Sequence, residues 1–152
     1  MAAALRIAVQ AGPFDMAREA AAARAGRSDV GAVVTFTGVC RDEGRTLAAL
    51  ELEHYPGMAE AELTRIAEEA AARWSITAAT IIHRFGRIAP GEDIVLVVTA
   101  SPHRAAALEA ASFLMDYLKT RAPFWKKEHP HSGEGGWVAA KGSDDEAAEK
   151  WK

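Results

Sequence analysis

The sequence predicts one α+β domain over residues 1–152, built from a mostly antiparallel sheet with flanking helices. Two observations carry that expectation. Short β-branched or alternating runs recur between strong turn residues, and two longer segments repeat apolar residues at helical spacing. The chain also shows no internal repeat and no linker that would divide it.

Leu5-Arg6-Ile7-Ala8-Val9 alternates and reads as a short strand. Asp15 is placed to cap a helix from Met16 to Ala25, which Gly26 ends. Gly31 to Gly38 is apolar and β-branched, as a buried strand requires. A charged turn, Arg41 to Arg45, leads into a second alternating run, Leu47 to His54. Pro56-Gly57 breaks the chain before an amphipathic helix from Met58 to Trp74, with Leu63, Ile66, Ala67 and Ala70 on one face.

Thr80 to Phe85 is the next strand, and Gly86 to Glu92, with Pro90-Gly91, reads as a connection. Ile94 to Ala100 is the most strand-like run of all. Ser101-Pro102 opens a helix with a capping hydroxyl and a proline whose missing N–H costs nothing there. That helix should run from His103 to about Lys119 and stop before Pro123. Phe124 to Glu128 is extended, His129 to Gly136 a loop, and Trp137 to Ala140 a last strand. Ser143-Asp144-Asp145 then caps a short terminal helix ending near Trp151.

Composition narrows the function. Hydrophobic residues make up 49% and charged residues 26%, so a packed core is affordable and wholesale disorder is not expected. A net charge of −3 argues against a protein that grips nucleic acid, which needs a basic domain, though not against a local basic pocket. The one cysteine, Cys40, makes neither an internal disulfide nor a multi-cysteine zinc site. No apolar run has the length of a signal peptide or membrane span, so a cytoplasmic protein is expected.

Two places could carry chemistry. Ser101-Pro102-His103-Arg104 stands at a helix N-terminus, where free N–H groups and the helix dipole favour an anion. Arg104 is unfavourable for the helix there, which points to a ligand, although a solvated first turn also fits. The second place runs from Lys119 to Glu128, with four cations in nine residues beside Phe124 and Trp125. Lys119 complements the helix C-terminus in any case, whereas Lys126 and Lys127 continue the charge past it. Crowded cations depress one another's pKa values, as acid–base work by a lysine requires, and interleaved aromatics suit a phosphorylated heterocycle.

His103 and Lys119 would be roughly 24 Å apart on one helix, too far for one small ligand. Either the helix breaks or a second copy completes the site, and a homodimeric core with a shared site is expected. The remaining residues are weaker candidates. Cys40 has no evident histidine partner and reads as a small buried thiol. Glu128-His129-Pro130-His131 reads as a flexible loop, and no metal or cofactor is expected. His54 and His83 lie in strand patterns and read as structural. No Gly-rich phosphate loop or Gly-x-Ser-x-Gly elbow is present.

Leu52-Glu53-His54-Tyr55-Pro56-Gly57-Met58, Ile82-His83-Arg84-Phe85-Gly86 with Pro90-Gly91-Glu92, Ser101 to Arg104, and the long block Met115 to Glu128 occur in an order that resembles molybdopterin synthase large subunits. The resemblance runs from about Gly31 to Trp151 and is weak over residues 1 to 25. It implies an α/β hammerhead-type fold, a sulfurtransferase of molybdenum cofactor biosynthesis, and a heterotetramer around a homodimer of large subunits. Each large subunit would bind a small ubiquitin-like carrier whose C-terminal Gly-Gly thiocarboxylate delivers sulfur. Two deliveries would turn cyclic pyranopterin monophosphate into the dithiolene of molybdopterin.

Substrate contacts are implied at Val39-Cys40-Arg41, His103-Arg104, Lys119 and Lys126-Lys127-Glu128, with Lys141 reaching a neighbouring pocket. By charge, Arg41, His103 and Arg104 suit the cyclic phosphate and pterin. Lys119 suits the reacting centre, with Lys126 as second cation and Glu128 orienting a lysine or the pterin edge. Val39 stands where many relatives carry lysine, and Lys141 where arginine is common, so a backbone contact is implied at Val39 and a weaker phosphate contact at Lys141. Sulfur arrives on the partner, so no cysteine relay is needed. The rival readings are a non-catalytic platform for a ubiquitin-like carrier, which has no use for a basic pocket, and a small RNA- or nucleotide-binding module, which the net charge disfavours.

Overall fold

A computed structural model describes residues 2–42, 44–133, 135–138 and 142–152. In chain order the elements are β1 (Ala4–Gln10), α1 (Met16–Ala22), β2 (Ala32–Val39), β3 (Leu47–His54), α2 (Met58–Arg73), β4 (Ala78–Arg84), β5 (Gly86–Ile88), β6 (Asp93–Ser101), α3 (Arg104–Thr120), β7 (Phe124–Pro130), β8 (Gly136–Val138) and α4 (Gly142–Glu149). The strands form two four-stranded sheets, ordered β1-β4-β6-β2 and β5-β3-β7-β8. Only β1 and β4 pair in parallel; every other described pair is antiparallel. The mostly antiparallel α+β class is therefore found, divided into two sheets.

The central strands of the first sheet, β4 and β6, are buried on both faces. Ile81, Val95 and Val97 face α2 and α3, packing with Leu63, Ile66, Phe113 and Leu114. Ile82, Leu96 and Val98 point to the opposite face, where Phe14 and Ala23 pack on them. This is the period of two expected of strands, with apolar residues on both faces because both are covered. The second sheet has a smaller cluster, Cys40, Leu50, Leu52 and Ile88, with Leu47 and Ile94 packed against it.

Several boundaries depart from the sequence expectation, each for a reason of pairing. Asp15 caps α1 through the Arg18 amide, but the helix stops at Ala22. The Arg24 and Ala25 amides bond three residues back, tightening the last turn. Ser101 does not cap α3: it ends β6, fully buried opposite Ala32, and its hydroxyl donates to the His103 carbonyl. The cap position falls to His103, whose extended backbone precedes Arg104 as the first helical residue. The expected connection after Arg84 contains β5, because Gly86 to Ile88 finds the open edge of β3. Strand β7 continues through His129 and Pro130 along β3, so the expected loop is shorter. Of the expected last strand, Ala139 and Ala140 lie outside the described residues.

One close approach ties β2 to the start of α3. A Cβ built on Gly31 would lie 2.2 Å from the Pro102 carbonyl oxygen, while the Gly31 amide donates to Ser101 O at 2.9 Å. Gly31→Ala should therefore separate β2 from the turn that carries His103 and Arg104. The expected cost is about 1–3 kcal/mol, read as a lower melting temperature. Gly12→Ala, with open space around it, serves as the control; equal melting temperatures for the two variants would show the contact to be unimportant.

Candidate functional site

The two sheets meet around a cavity of about 680 Å³. Its walls come from the end of β2 (Val39, Cys40, Arg41), from Leu47 and Leu50 of β3, Ile94 of β6, Lys119 of α3, Lys126 and Glu128 of β7, and residues 135–138. These segments are far apart in the chain, so pairing between strands assembles the site.

Each wall has a local cause. Between Gly38 and Val39 the β2–β6 register shifts, so that Val39 pairs with Asp93 and Ile94 is left over. A bulge of this kind re-aims a side chain, and Ile94 lines the cavity beside Leu50. The chain beyond Val39 is held by its backbone: the Cys40 amide donates to Glu92 O at 2.8 Å, and the Gly91 amide donates to Cys40 O at 2.7 Å. Asp42 then closes the turn, its Oδ1 accepting from the Thr46 and Leu47 amides, both at 3.2 Å. Arg41 is thereby presented at the surface of the cavity from a fixed backbone.

On β7 the period of two divides the basic block. Lys126 and Glu128 share the face that lines the cavity. Lys127 points the other way, its Nζ 5.7 Å from the centroid of the Trp137 ring, in cation–π range. Next on that outer face, His129 Nε2 lies 2.7 Å from Glu51 Oε1. Residues 135–138 lie close against β7: a Cβ on Gly135 would fall 2.1 Å from Glu128 O, so only glycine permits that approach.

Lys119 lies in the last turn of α3, beyond the buried pair Tyr117 and Leu118 that anchors the helix. The helix is unbroken from Arg104 to Thr120. His103 and Arg104 are accordingly at its far end, exposed, and outside the cavity that Lys119 lines. Of the expected contacts, one chain brings together Val39, Cys40, Arg41, Lys119, Lys126 and Glu128. It leaves out His103, Arg104 and Lys127, and Lys141 lies outside the described residues.

Cys40 is 3% exposed, and its Sγ lies 3.8 Å from Ile88 O. Burial pushes its thiol up, and the carboxylates of Glu92 and Asp42 push the same way. A raised thiol is a poor nucleophile, so Cys40 belongs to the floor. Among the described residues no group of three or more His, Cys, Asp or Glu side chains is placed to hold a metal ion.

Sequence reasoning passed over Asp42, Ile94 and Trp137 as site residues. Asp42 had a visible signal, an Asx acceptor just before a strand. Ile94 had none, because a bulge is a property of two paired strands.

Residues 9–121 match the family described as MoaE protein. The chain belongs to the MoaE family. Among its relatives, a molybdopterin synthase catalytic subunit from Mesorhizobium japonicum is 65% identical over 147 residues, 96% of this chain and 92% of that one. A MoaE protein of molybdopterin biosynthesis from Burkholderia ambifaria superposes with a TM-score of 0.81 at 47% identity, covering 98% and 97% of the two chains. A molybdopterin synthase from Staphylococcus aureus gives a TM-score of 0.78 at 31% identity, covering 87% and 96%. The MoaE match and the cavity overlap: Val39 to Leu50, Ile94 and Lys119 fall inside the matched span, while β7 and β8 complete the site beyond it.

Behind the cations of this MoaE chain lies a buried histidine. His83 on β4 is 8% exposed, and burial lowers its pKa to about 4, with the charges of Lys126, Lys119 and His54 acting in the same direction. The unfolded chain would take up that proton near the ordinary value of 6.5, well before the folded chain does. Stability from this residue is thus intact above about pH 6.5 and is lost as the pH falls toward 4, by roughly 3 kcal/mol in all. Urea unfolding from pH 7 to 4 should show that loss in wild type and a shallower one in His83→Phe; equal slopes would refute it.

Proposed function

We propose that this chain is the catalytic subunit of a molybdopterin synthase, acting throughout residues 1–152 as one domain. It takes sulfur from the C-terminal thiocarboxylate of a small ubiquitin-like carrier and places it on cyclic pyranopterin monophosphate. The observation that carries this reading is the single cavity, in a MoaE-family chain, that gathers Arg41, Lys119, Lys126 and Glu128 around an apolar floor. A docking platform alone would not need three cations converging on one space.

The chemistry follows from charge and placement. The substrate is a phosphorylated heterocycle, and Arg41 offers paired donors to a phosphate. The thiocarboxylate sulfur bonds to a carbon of the substrate as a carbon–oxygen bond at that carbon breaks, and water then hydrolyses the resulting thioester and frees the carrier's carboxylate. Negative charge develops on the departing oxygen. Lys119 stabilises that charge or moves the accompanying proton, with Lys126 as second cation and Glu128 orienting a lysine or the pterin edge. Val39 and Cys40 contribute backbone and floor. Lys127 holds the Trp137 ring at the cavity edge, and Lys141 is assigned to a neighbouring subunit's pocket. His103 and Arg104 serve the pocket of a second copy, because the unbroken α3 keeps them from their own. The resulting assembly is a homodimer with one carrier on each chain. No described helix is long and apolar enough to cross a membrane, and the reading places the protein in the cytoplasm.

The test is single-turnover conversion of cyclic pyranopterin monophosphate with thiocarboxylated carrier. Formation of the dithiolene by wild type is expected. Carrier binding with no product would make the chain a platform and overturn the reading.

A further inference from the structure

Four aromatic rings form a column from the second sheet into the first, next to the two lysines. Phe85 and His54 lie 4.5 Å apart between centroids, His54 and Phe124 5.8 Å, and Phe124 and His83 3.7 Å with only 12° between their planes. His54 belongs to β3 and Phe124 to β7, while His83 belongs to β4. Alternation along β4 puts His83 on the face that carries Ile81, toward α2 and α3.

Imidazole is an expensive choice for that position. Every residue of β4 is buried, and an aliphatic side chain would fill the space without a polar group to satisfy. His83 satisfies its Nδ1 locally, 2.9 Å from Arg84 O. A carbonyl oxygen only accepts, so Nδ1 carries a proton and the bond fixes the ring's orientation, while burial keeps the ring neutral near pH 7. A flat, oriented ring is thus presented face-on to Phe124.

Phe124 is the residue through which that orientation reaches the site. Three residues, 121–123, separate it from the end of α3, and two residues later on β7 stands Lys126. Lys119 and Lys126 line one cavity from these two elements, and both charges are felt at the His83 ring. Phe124 thus stands between the elements that carry the two lysines, with its ring on His83.

We propose that His83 is a positioning residue, whose stack on Phe124 sets the placement of Lys126 relative to Lys119 across the cavity. This rests on the reading that those lysines serve sulfur transfer. The placement itself is testable without that reading. A short bis-succinimidyl ester reports it as the yield of the Lys119–Lys126 cross-link, quantified by mass spectrometry in wild type, His83→Ala and His83→Phe. Single-turnover rate and pterin KM are measured on the same three proteins.

His83→Ala should lower the cross-link yield at least threefold and the rate about tenfold, with KM within twofold. His83→Phe keeps the flat ring without the N–H and should restore both to within threefold of wild type. An unchanged cross-link in His83→Ala, or a His83→Phe variant as impaired as His83→Ala, overturns the proposal. If His83→Ala does not fold, Phe124→Leu removes the same stack from its other side and is held to the same criteria. A wild type that cross-links but makes no product would defeat the functional reading alone, and the cross-link comparison would still decide the role of His83.

Discussion

Replacing Lys119 by alanine is expected to lower single-turnover sulfur transfer by about 10²- to 10³-fold while carrier binding and folding stay near normal. The expectation rests on where the charge sits. Lys119 lies in the exposed last turn of α3, and the buried Tyr117 and Leu118 before it hold the helix down without it. Its loss removes a favourable partner of the helix dipole, about 0.3–1 kcal/mol, too little to unfold the domain. In the cavity the same ammonium faces the space bounded by Arg41, Lys126 and Glu128. Preorganised charge there acts on the transition state more than on the ground state, so the rate should fall further than substrate affinity. A rate within threefold of wild type, with stability unchanged, would remove Lys119 from the chemistry and leave Lys126 as the candidate.

A mixture of His103→Ala and Lys119→Ala chains, each inactive alone, should recover about a quarter of wild-type activity when the subunits reassort. The reasoning is geometric. A continuous helix of seventeen residues runs from Arg104 to Thr120, so the two ends of α3 cannot serve one small ligand in one chain. If a second copy supplies His103 and Arg104, half of the randomly formed dimers are mixed. Each mixed dimer holds one site with both residues intact and one with neither. Activity no greater than that of the separate variants would show that the site is not shared. His103 and Arg104 would then be ordinary solvated residues at a helix start.

The expected elements were legible where their cause is local. Helix α2 begins at Met58 as its apolar period and the Pro56-Gly57 break require, and Glu60 reaches back to the Gly57 amide at 2.5 Å. Strands β2, β3 and β6 were visible in their β-branched or alternating runs. The misplaced boundaries are those decided by a partner. Ser101 has the chemistry of a cap, yet pairing with Ala32 draws it into β6. Gly86 to Ile88 carries little strand signal but lies beside an open edge. His129 and Pro130 look like a loop until β3 is alongside them.

The same division holds at the site. The basic-aromatic block from Lys119 to Glu128 announced itself by composition and His103-Arg104 by its place at a helix start, while Arg41 came through likeness to a family. The sequence by itself determined which residue types are available and the period on which each segment displays them, because both depend on neighbours in the chain. Only the tertiary structure decided which of them share a space. It turned Lys126 and Glu128 inward with Lys119 and Arg41, turned Lys127 out to Trp137, and kept the two ends of α3 apart. It also placed His83, in an unremarkable strand, beneath Phe124 and within the field of both lysines. Strand pairing and helix packing join residues distant in sequence through the burial of apolar surface, and no local pattern encodes which distant face will be met.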